Sequence, residues 1–276
     1  MTITSNTPSE EAHRSNGPIS TRPWPQWRER AASPDVEGGC RLGAPSAASK
    51  PLISYVTVTK NAEQTLDQTI RSVIKQKTNQ VEHIIIDGRS TDGTLEIIKK
   101  YEREIEYYIS EKDGGLYEAI NKGIELSRGG HICILNAGDW LTSHAVQTAI
   151  KAIQSTQDNH TIQAFGAWKV GGPKNKLWPP RPVSKGDYLR CADLCHNSLY
   201  VPRHAYETTG PYDTTYQIAA DFKWIMAAFE QDFKYATHRR PTVFYKLGGI
   251  SANGAAHAKG PSSFRVETNG DNRWWS

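Results

Sequence analysis

From residue 52 onward the apolar residues fall into two alternating rhythms. Short apolar runs at 52–58, 81–87, 105–109 and 131–135 have the length of buried strands. Between them, Leu66, Ile70, Val73 and Ile74 repeat at helical spacing across 62–76. A second helix is expected from a Ser90 or Thr91 cap to about Tyr101, with Asp92 in its first turn. A third spans 115–127, with Leu116, Ala119, Ile120 and Ile124 on its inner face and Gly129-Gly130 ending it. A fourth opens at Ser143 and runs to about Gln154. This alternation predicts an α/β fold with a mostly parallel sheet flanked by helices and joined by right-handed crossovers. Beyond Thr161 the rhythm fades into a strand at 163–170, a loop at 171–185, a helix at 221–231 and a strand at 235–245. Small residues at 248–260 close the ordered core.

Residues 1–50 have no such periodicity. They hold six of the fifteen prolines, with many Ser, Ala and Gly, and read as a disordered or loosely attached tail. Its one distinctive stretch is Pro23-Trp24-Pro25-Gln26-Trp27. The expected organisation is therefore a tail at 1–50, a ligand-binding half at 51–160, a second half of the same domain at 161–255, and a C-terminal tail at 256–276.

Charge and cysteine content narrow the partners. A net charge of +4 over 276 residues suits an anionic ligand or an acidic membrane surface and is too weak to imply nucleic acid. Four cysteines make no disulfide framework, and Cys191, Cys195 and His196 lack the spacing and the second ligand pair of a zinc site. No run of 18 apolar residues spans a membrane, and the first residues lack the apolar core of a secretory signal. The expectation is a cytoplasmic protein with peripheral contact at the inner face of the membrane. Lys174, Lys176 and Arg181 read as a solvated loop or as a surface facing anionic lipid.

Two apolar runs end at acids. Ile84-Ile85-Ile86 stops at Asp87-Gly88, and Ile132-Cys133-Ile134-Leu135 stops at Asn136-Ala137-Gly138-Asp139. Strand ends of this kind form the ligand edge of an open α/β sheet. Asp87 can accept from a nucleobase imide or form an Asx turn. Asp139 can hold a hard divalent cation together with phosphate oxygens and water. The glycines of Asp113-Gly114-Gly115, ahead of a helix that carries Asn121 and Lys122, leave orphan N–H groups suited to an anion, or simply begin the helix.

The order of these segments closely resembles the family 2 glycosyltransferases, inverting enzymes of the GT-A fold. The segments are the Thr57-Val58-Thr59-Lys60-Asn61 strand end, the Asp87–Thr94 loop, 110–123 and Asn136-Ala137-Gly138-Asp139. The likeness extends over 52–250 and is nearest to the bacterial branch that builds polysaccharide and glycolipid sugars. It implies a nucleotide-diphospho-sugar transferase fold, a UDP- or GDP-sugar donor and a hydroxyl on a sugar or lipid-linked acceptor. Among the residues, it implies that Thr57, Asn61 and Asp87 hold base and ribose, with Thr59, Gly88, Asp113, Asn121, Lys122 and Asn136 completing the donor site. Asp139 would bind Mg2+ or Mn2+ as the surviving acid of an Asp-x-Asp motif, Gly138 standing where a second acid is usual. His196 and Trp224 would face the acceptor. Asp221, in Ala219-Ala220-Asp221-Phe222-Lys223-Trp224, would be the catalytic base, its structural alternative being a helix N-cap.

That set of residue types suits the chemistry. A nucleoside diphosphate leaves with charge that a cation and N–H dipoles stabilise. The attacking hydroxyl must lose a proton to a carboxylate on the opposite side. A nucleotidyltransferase is the alternative enzyme, disfavoured because residues 59–63 are not the glycine-rich loop that class carries. A non-catalytic nucleotide-sugar binder is the third reading, favoured by Gly138 and disfavoured by Asp221.

Overall fold

A strand covered on both faces needs an unbroken apolar run, and Val81–Asp87 supplies one. It lies inside a sheet whose strands are β1 (Val36–Gly38), β2 (Ile53–Thr59), β3 (Val81–Asp87), β4 (Tyr107–Ser110), β5 (His131–Ile134), β6 (Trp140–Leu141), β7 (Thr161–Val170), β8 (Lys176–Trp178), β9 (Leu199–Pro202) and β10 (Lys234–Lys246). The helices are α1 (Leu66–Ile74), α2 (Thr94–Lys100), α3 (Leu116–Leu126), α4 (Ala145–Ser155), α5 (Arg203–Thr209) and α6 (Ala220–Glu230). These come from a computed structural model that describes residues 35–43, 50–156, 158–181, 184–186 and 194–248.

The sheet order is β1-β4-β3-β2-β5-β9-β7-β10-β6, with β8 beside β7. Strands β4, β3, β2 and β5 are parallel. The chain moves outward from β2 through β3 to β4, then returns past β2 to β5. Strand order therefore reverses at β2 and β5, and a crevice opens beyond their carboxyl ends. The second half is joined differently. Strand β9 runs antiparallel to both β5 and β7, and β10 lies parallel to β7. Alternating side chains fill two layers. Ile84 and Ile86 pack under α3, α5 and α6, whereas Ile85 packs under α1 and α2.

Several boundaries differ from the periodicity. Helix α1 starts at Leu66 rather than at 62, because 62–65 form a turn in which Thr65 N donates to Ala62 O at 3.0 Å. Helix α2 begins at Thr94, since Ser90 and Thr91 turn their hydroxyls to Asp87 and Asn61 instead of capping it. The expected loop at 171–185 contains β8, paired back on β7. Residues 35–43, expected in a loose tail, join the sheet: Val36 pairs with Ser110, and Cys40 N donates to Ile105 O at 2.9 Å. Trp24, Trp27, Cys191 and residues 249–276 lie outside the described residues.

Helix α3 sits close to β2 because Gly123 faces Val56. A Cβ there would collide with Val56 Cγ1 and press on Ile86. Gly123→Ala should therefore cost about 1–3 kcal/mol through overpacking, more than the helix propensity of Ala returns. A urea midpoint equal to or above wild type would contradict this close approach.

Candidate active site

Two loops at the carboxyl ends of β2 and β3 are laced together. Gly88 N donates to Thr59 O at 2.9 Å. Asn61, held at φ 50°, accepts from Thr91 N at 2.8 Å and donates its own N–H to Ser90 Oγ at 2.8 Å. Asp87, 0% exposed, accepts from Ser90 N at 3.0 Å, from Ser110 Oγ at 2.6 Å and from Ser90 Oγ. Its carboxylate is thus a latch inside the loop, which is the Asx-turn alternative. Next to it the Asp113 carboxylate lies against Gly88 in the space a Cβ would fill, and burial raises the Asp113 pKa while Lys60 opposes the shift.

Four of the expected residues are placed elsewhere. Thr57 is fully buried with Oγ1 2.9 Å from His83 Nε2, so it joins β2 to β3 away from the crevice. Asn121 donates to Tyr212 O at 2.8 Å and accepts from Tyr212 N at 2.9 Å, clamping the segment after α5 onto α3. Lys122 is buried beside Glu111 at 2.5 Å and Glu118 at 3.5 Å, so two carboxylates neutralise its charge. Trp224 is 3% exposed, donates to Gly210 O at 2.8 Å and stacks on Tyr206, so it belongs to the core.

The crevice between β2 and β5 does collect oxygen. Thr59 Oγ1, at the end of β2, and Asn136 Oδ1, just past β5, are buried and have no hydrogen-bond partner. Buried polar atoms are rarely left unpaired, so these two oxygens at adjacent strand ends are available to a ligand. Three residues after Asn136 comes Asp139, which is 5% exposed. Its Oδ1 accepts from Lys246 N at 2.7 Å and its Oδ2 from the Asn197 amide. Burial pushes its pKa up to about 7 in spite of these donors. Each carboxylate oxygen keeps a second lone pair. One carboxylate fits a hard divalent cation whose other ligands are mainly phosphate and water. Among the described residues no group of three or more His, Cys, Asp or Glu is placed to hold an ion by itself.

A second group of polar side chains gathers at the start of α6. Asp221 lies in the first turn of α6. The N-cap is Ala219, in the left-handed region at φ 68°, so the N-cap alternative for Asp221 does not hold. Asp221 Oδ1 accepts from Tyr117 Oη at 3.1 Å. His196 lies near enough to feel its charge, which opposes a larger, burial-driven lowering of the imidazole pKa. His196 Nε2 in turn meets Tyr212 Oη at 2.8 Å. Tyr245 is sensitive to Asp139 and Asp221 alike, and burial together with these charges raises its pKa to about 12. Tyr245 therefore lies within electrostatic reach of both carboxylates.

Nothing in the sequence pattern alone singles out Tyr212 or Tyr245, and only its helical spacing marks Tyr117. Tyr117 and Asn121 had a detectable signal: four apart on a helix, they share a face, and both touch Tyr212. Cys195, weighed as a metal ligand, is a buried thiol whose pKa burial raises to about 12.

The family model described as Glycosyl transferase family 2 matches residues 54–200. An uncharacterized glycosyltransferase of Mycobacterium tuberculosis is 29% identical over 183 residues, covering 65% of this chain and 70% of its own length. Among solved structures, S. aureus TarS 1-349 in complex with UDP superposes with TM-score 0.60 at 14% identity. That match covers 71% of this chain and 60% of TarS 1-349, so this chain spans well under the full length of that protein. The mannosyltransferase PcManGT from Pyrobaculum calidifontis, in complex with GDP-Man and Mn2+, superposes with TM-score 0.56 at 16% identity over 80% of this chain and 62% of its own. At these identities the likenesses establish the fold, GT-A, and the family match displaces the nucleotidyltransferase alternative.

Proposed function

The chain belongs to glycosyl transferase family 2, and from that premise we propose that it transfers a sugar from a UDP- or GDP-sugar to a hydroxyl acceptor with inversion, using Asp221 as the base. The observation that carries this reading is that a desolvated carboxylate, Asp139, stands past the end of β5 while a second, Asp221, is held at 3.1 Å by Tyr117 in the first turn of α6.

On the donor side, Asn61, Gly88 and Asp113 line the latched loops, and Thr59 Oγ1 and Asn136 Oδ1 offer unpaired oxygens to ribose or to an ion. Asp87 serves this site by shaping it. Thr57, Asn121 and Lys122 drop out because their polar atoms are engaged elsewhere. Mg2+ or Mn2+ would be held by Asp139 and Asn136 with the donor phosphates. Bound there, the ion supplies charge that stabilises the leaving diphosphate. The acceptor hydroxyl loses its proton to Asp221, its oxygen bonds to C1, and the C1–O bond to phosphate breaks with its electron pair on the diphosphate. His196 and Tyr245, both within electrostatic reach of Asp221, would orient the acceptor.

The acceptor is a sugar or lipid-linked sugar. Contact with an anionic membrane surface is supported by the β8-β7-β10 corner. Neither 161–181 nor 234–248 contains Asp or Glu, yet they carry Lys169, Lys174, Lys176, Arg239, Arg240 and Lys246. Exposed Leu247 lies beside Lys246, one residue beyond the main-chain N–H that binds Asp139. Among the described residues no helix is long and apolar enough to cross a membrane, so any contact they make is peripheral.

Three outcomes follow. Asp221→Asn should keep donor affinity and lower transfer about 10²-fold or more, since an amide cannot take the hydroxyl proton; near-normal transfer would remove Asp221 from the mechanism. Manganese should raise donor affinity in calorimetry, and Asp139→Ala should abolish that gain; full turnover of the wild type in chelator would contradict the metal assignment. The protein should co-sediment with vesicles containing phosphatidylglycerol and not with pure phosphatidylcholine, and Lys174→Glu/Lys176→Glu should weaken this binding. Equal binding to both vesicle types would contradict the electrostatic contact.

A further inference from the structure

The base proposed above is held from the opposite half of the domain. Tyr117 is the second residue of α3 and is buried. It follows, after Leu116, the Asp113–Gly115 segment whose Asp113 carboxylate lies against Gly88. Its hydroxyl reaches 104 positions along the chain to donate to Asp221 Oδ1 at 3.1 Å. Little freedom is left to the phenol. Its ring packs 5.8 Å from that of Tyr212, and Tyr212 is fixed by Asn121 at both main-chain groups. The Tyr212 hydroxyl meets His196 Nε2 at 2.8 Å and Tyr206 Oη at 3.3 Å. On the other side, the left-handed Ala219 sets where α6 begins and so where Asp221 emerges. A non-glycine residue in that region is strained, and such strain is typically kept where a neighbouring group must be aimed.

Resting on the assignment of Asp221 as base, we propose that Tyr117 is its positioning residue. It holds Oδ1, so it orients the carboxylate for the acceptor proton, and it ties the base to the donor loop through α3. In the reaction the acceptor O–H bond breaks and its proton passes to the Asp221 carboxylate. The acceptor oxygen bonds to C1, and the diphosphate leaves with the C1–O electron pair. Tyr117 keeps its own proton throughout, and burial, which raises the phenol pKa, keeps it a donor at every working pH. A hydrogen bond given to a carboxylate favours its charged form. The other groups whose charge couples to Asp221 are His196 from the turn before β9, Tyr212 from the segment after α5, and Tyr245 from β10. Lys223, on the same helix, is turned away to Asp213 at 2.7 Å.

The test uses the full chain and the pH dependence of transfer. Tyr117→Phe should fold, leave donor KM unchanged, lower kcat about tenfold, and move the acidic limb of the rate profile to higher pH, because the carboxylate has lost a donor. Tyr206→Phe keeps the Tyr117–Asp221 bond and serves as the packing control; its acidic limb should stay in place. In an Asp221→Asn background, adding Tyr117→Phe should produce no further loss, since the two act as one unit. A Tyr117→Phe profile superimposable on wild type, an equal shift in Tyr206→Phe, or an additive loss in the double variant would overturn the proposal. Substantial activity in Asp221→Asn alone would instead overturn the assignment of the base on which it rests.

Discussion

One buried carboxylate joins the two halves of this domain. Asp139 stands past the end of β5, accepts from the Asn197 amide in the turn before β9, and accepts from Lys246 N at the end of β10 at 2.7 Å. Its own carbonyl accepts from Thr69 Oγ1 of α1 at 2.7 Å. Three segments far apart in sequence are therefore fixed to one residue at the carboxyl edge of the sheet. Desolvation makes the arrangement costly for a charge, which is why the pKa rises to about 7. A neighbouring cation and the phosphates it brings would offset that cost.

The rest of the site depends on that closure. With β5 and β10 held together, Tyr245 near the end of β10 comes within electrostatic reach of both Asp139 and Asp221. The donor side is stiffened separately, by Asp87 and Asn61, whose bonds to Ser90 and Thr91 close the second loop onto the first. Rigid loops at strand ends pre-organise a binding site, so ligand binding need not supply the ordering cost. The two halves then present unlike groups to one space: unpaired oxygens and a shielded acid on one side, and a more open acid held by a tyrosine on the other.

How much of this was legible varies with the physics behind each signal. The parallel half could be read because strands β2, β3 and β5 are buried on both faces, and such burial demands continuous apolar runs. Strands β6, β8 and β9 have two to four residues each, and they exist because a partner is present rather than because of their own pattern. Strand β1 was hidden among prolines and glycines for the same reason. In the site, the acids at strand ends stood out because an apolar run ending at Asp is itself a pattern. Asn121 and Lys122 were misassigned because motif adjacency says nothing about which way a helix turns them. Asn121 points to Tyr212, and Lys122 is neutralised by Glu111. The helical face shared by Tyr117 and Asn121 would have directed attention to Tyr117, whereas nothing local marks Tyr245, whose relevance comes from the closure of β10 against Asp139.

The central claim is a single displacement, with the acceptor activated by Asp221 across the crevice from the leaving diphosphate. The anomeric configuration of the product tests it most directly, read by proton NMR from the coupling at the transferred sugar's C1 early in the reaction. An α-linked nucleotide-sugar should yield a β-linked product. A product that retains the donor's configuration would contradict the account, because one in-line attack cannot leave that centre unchanged.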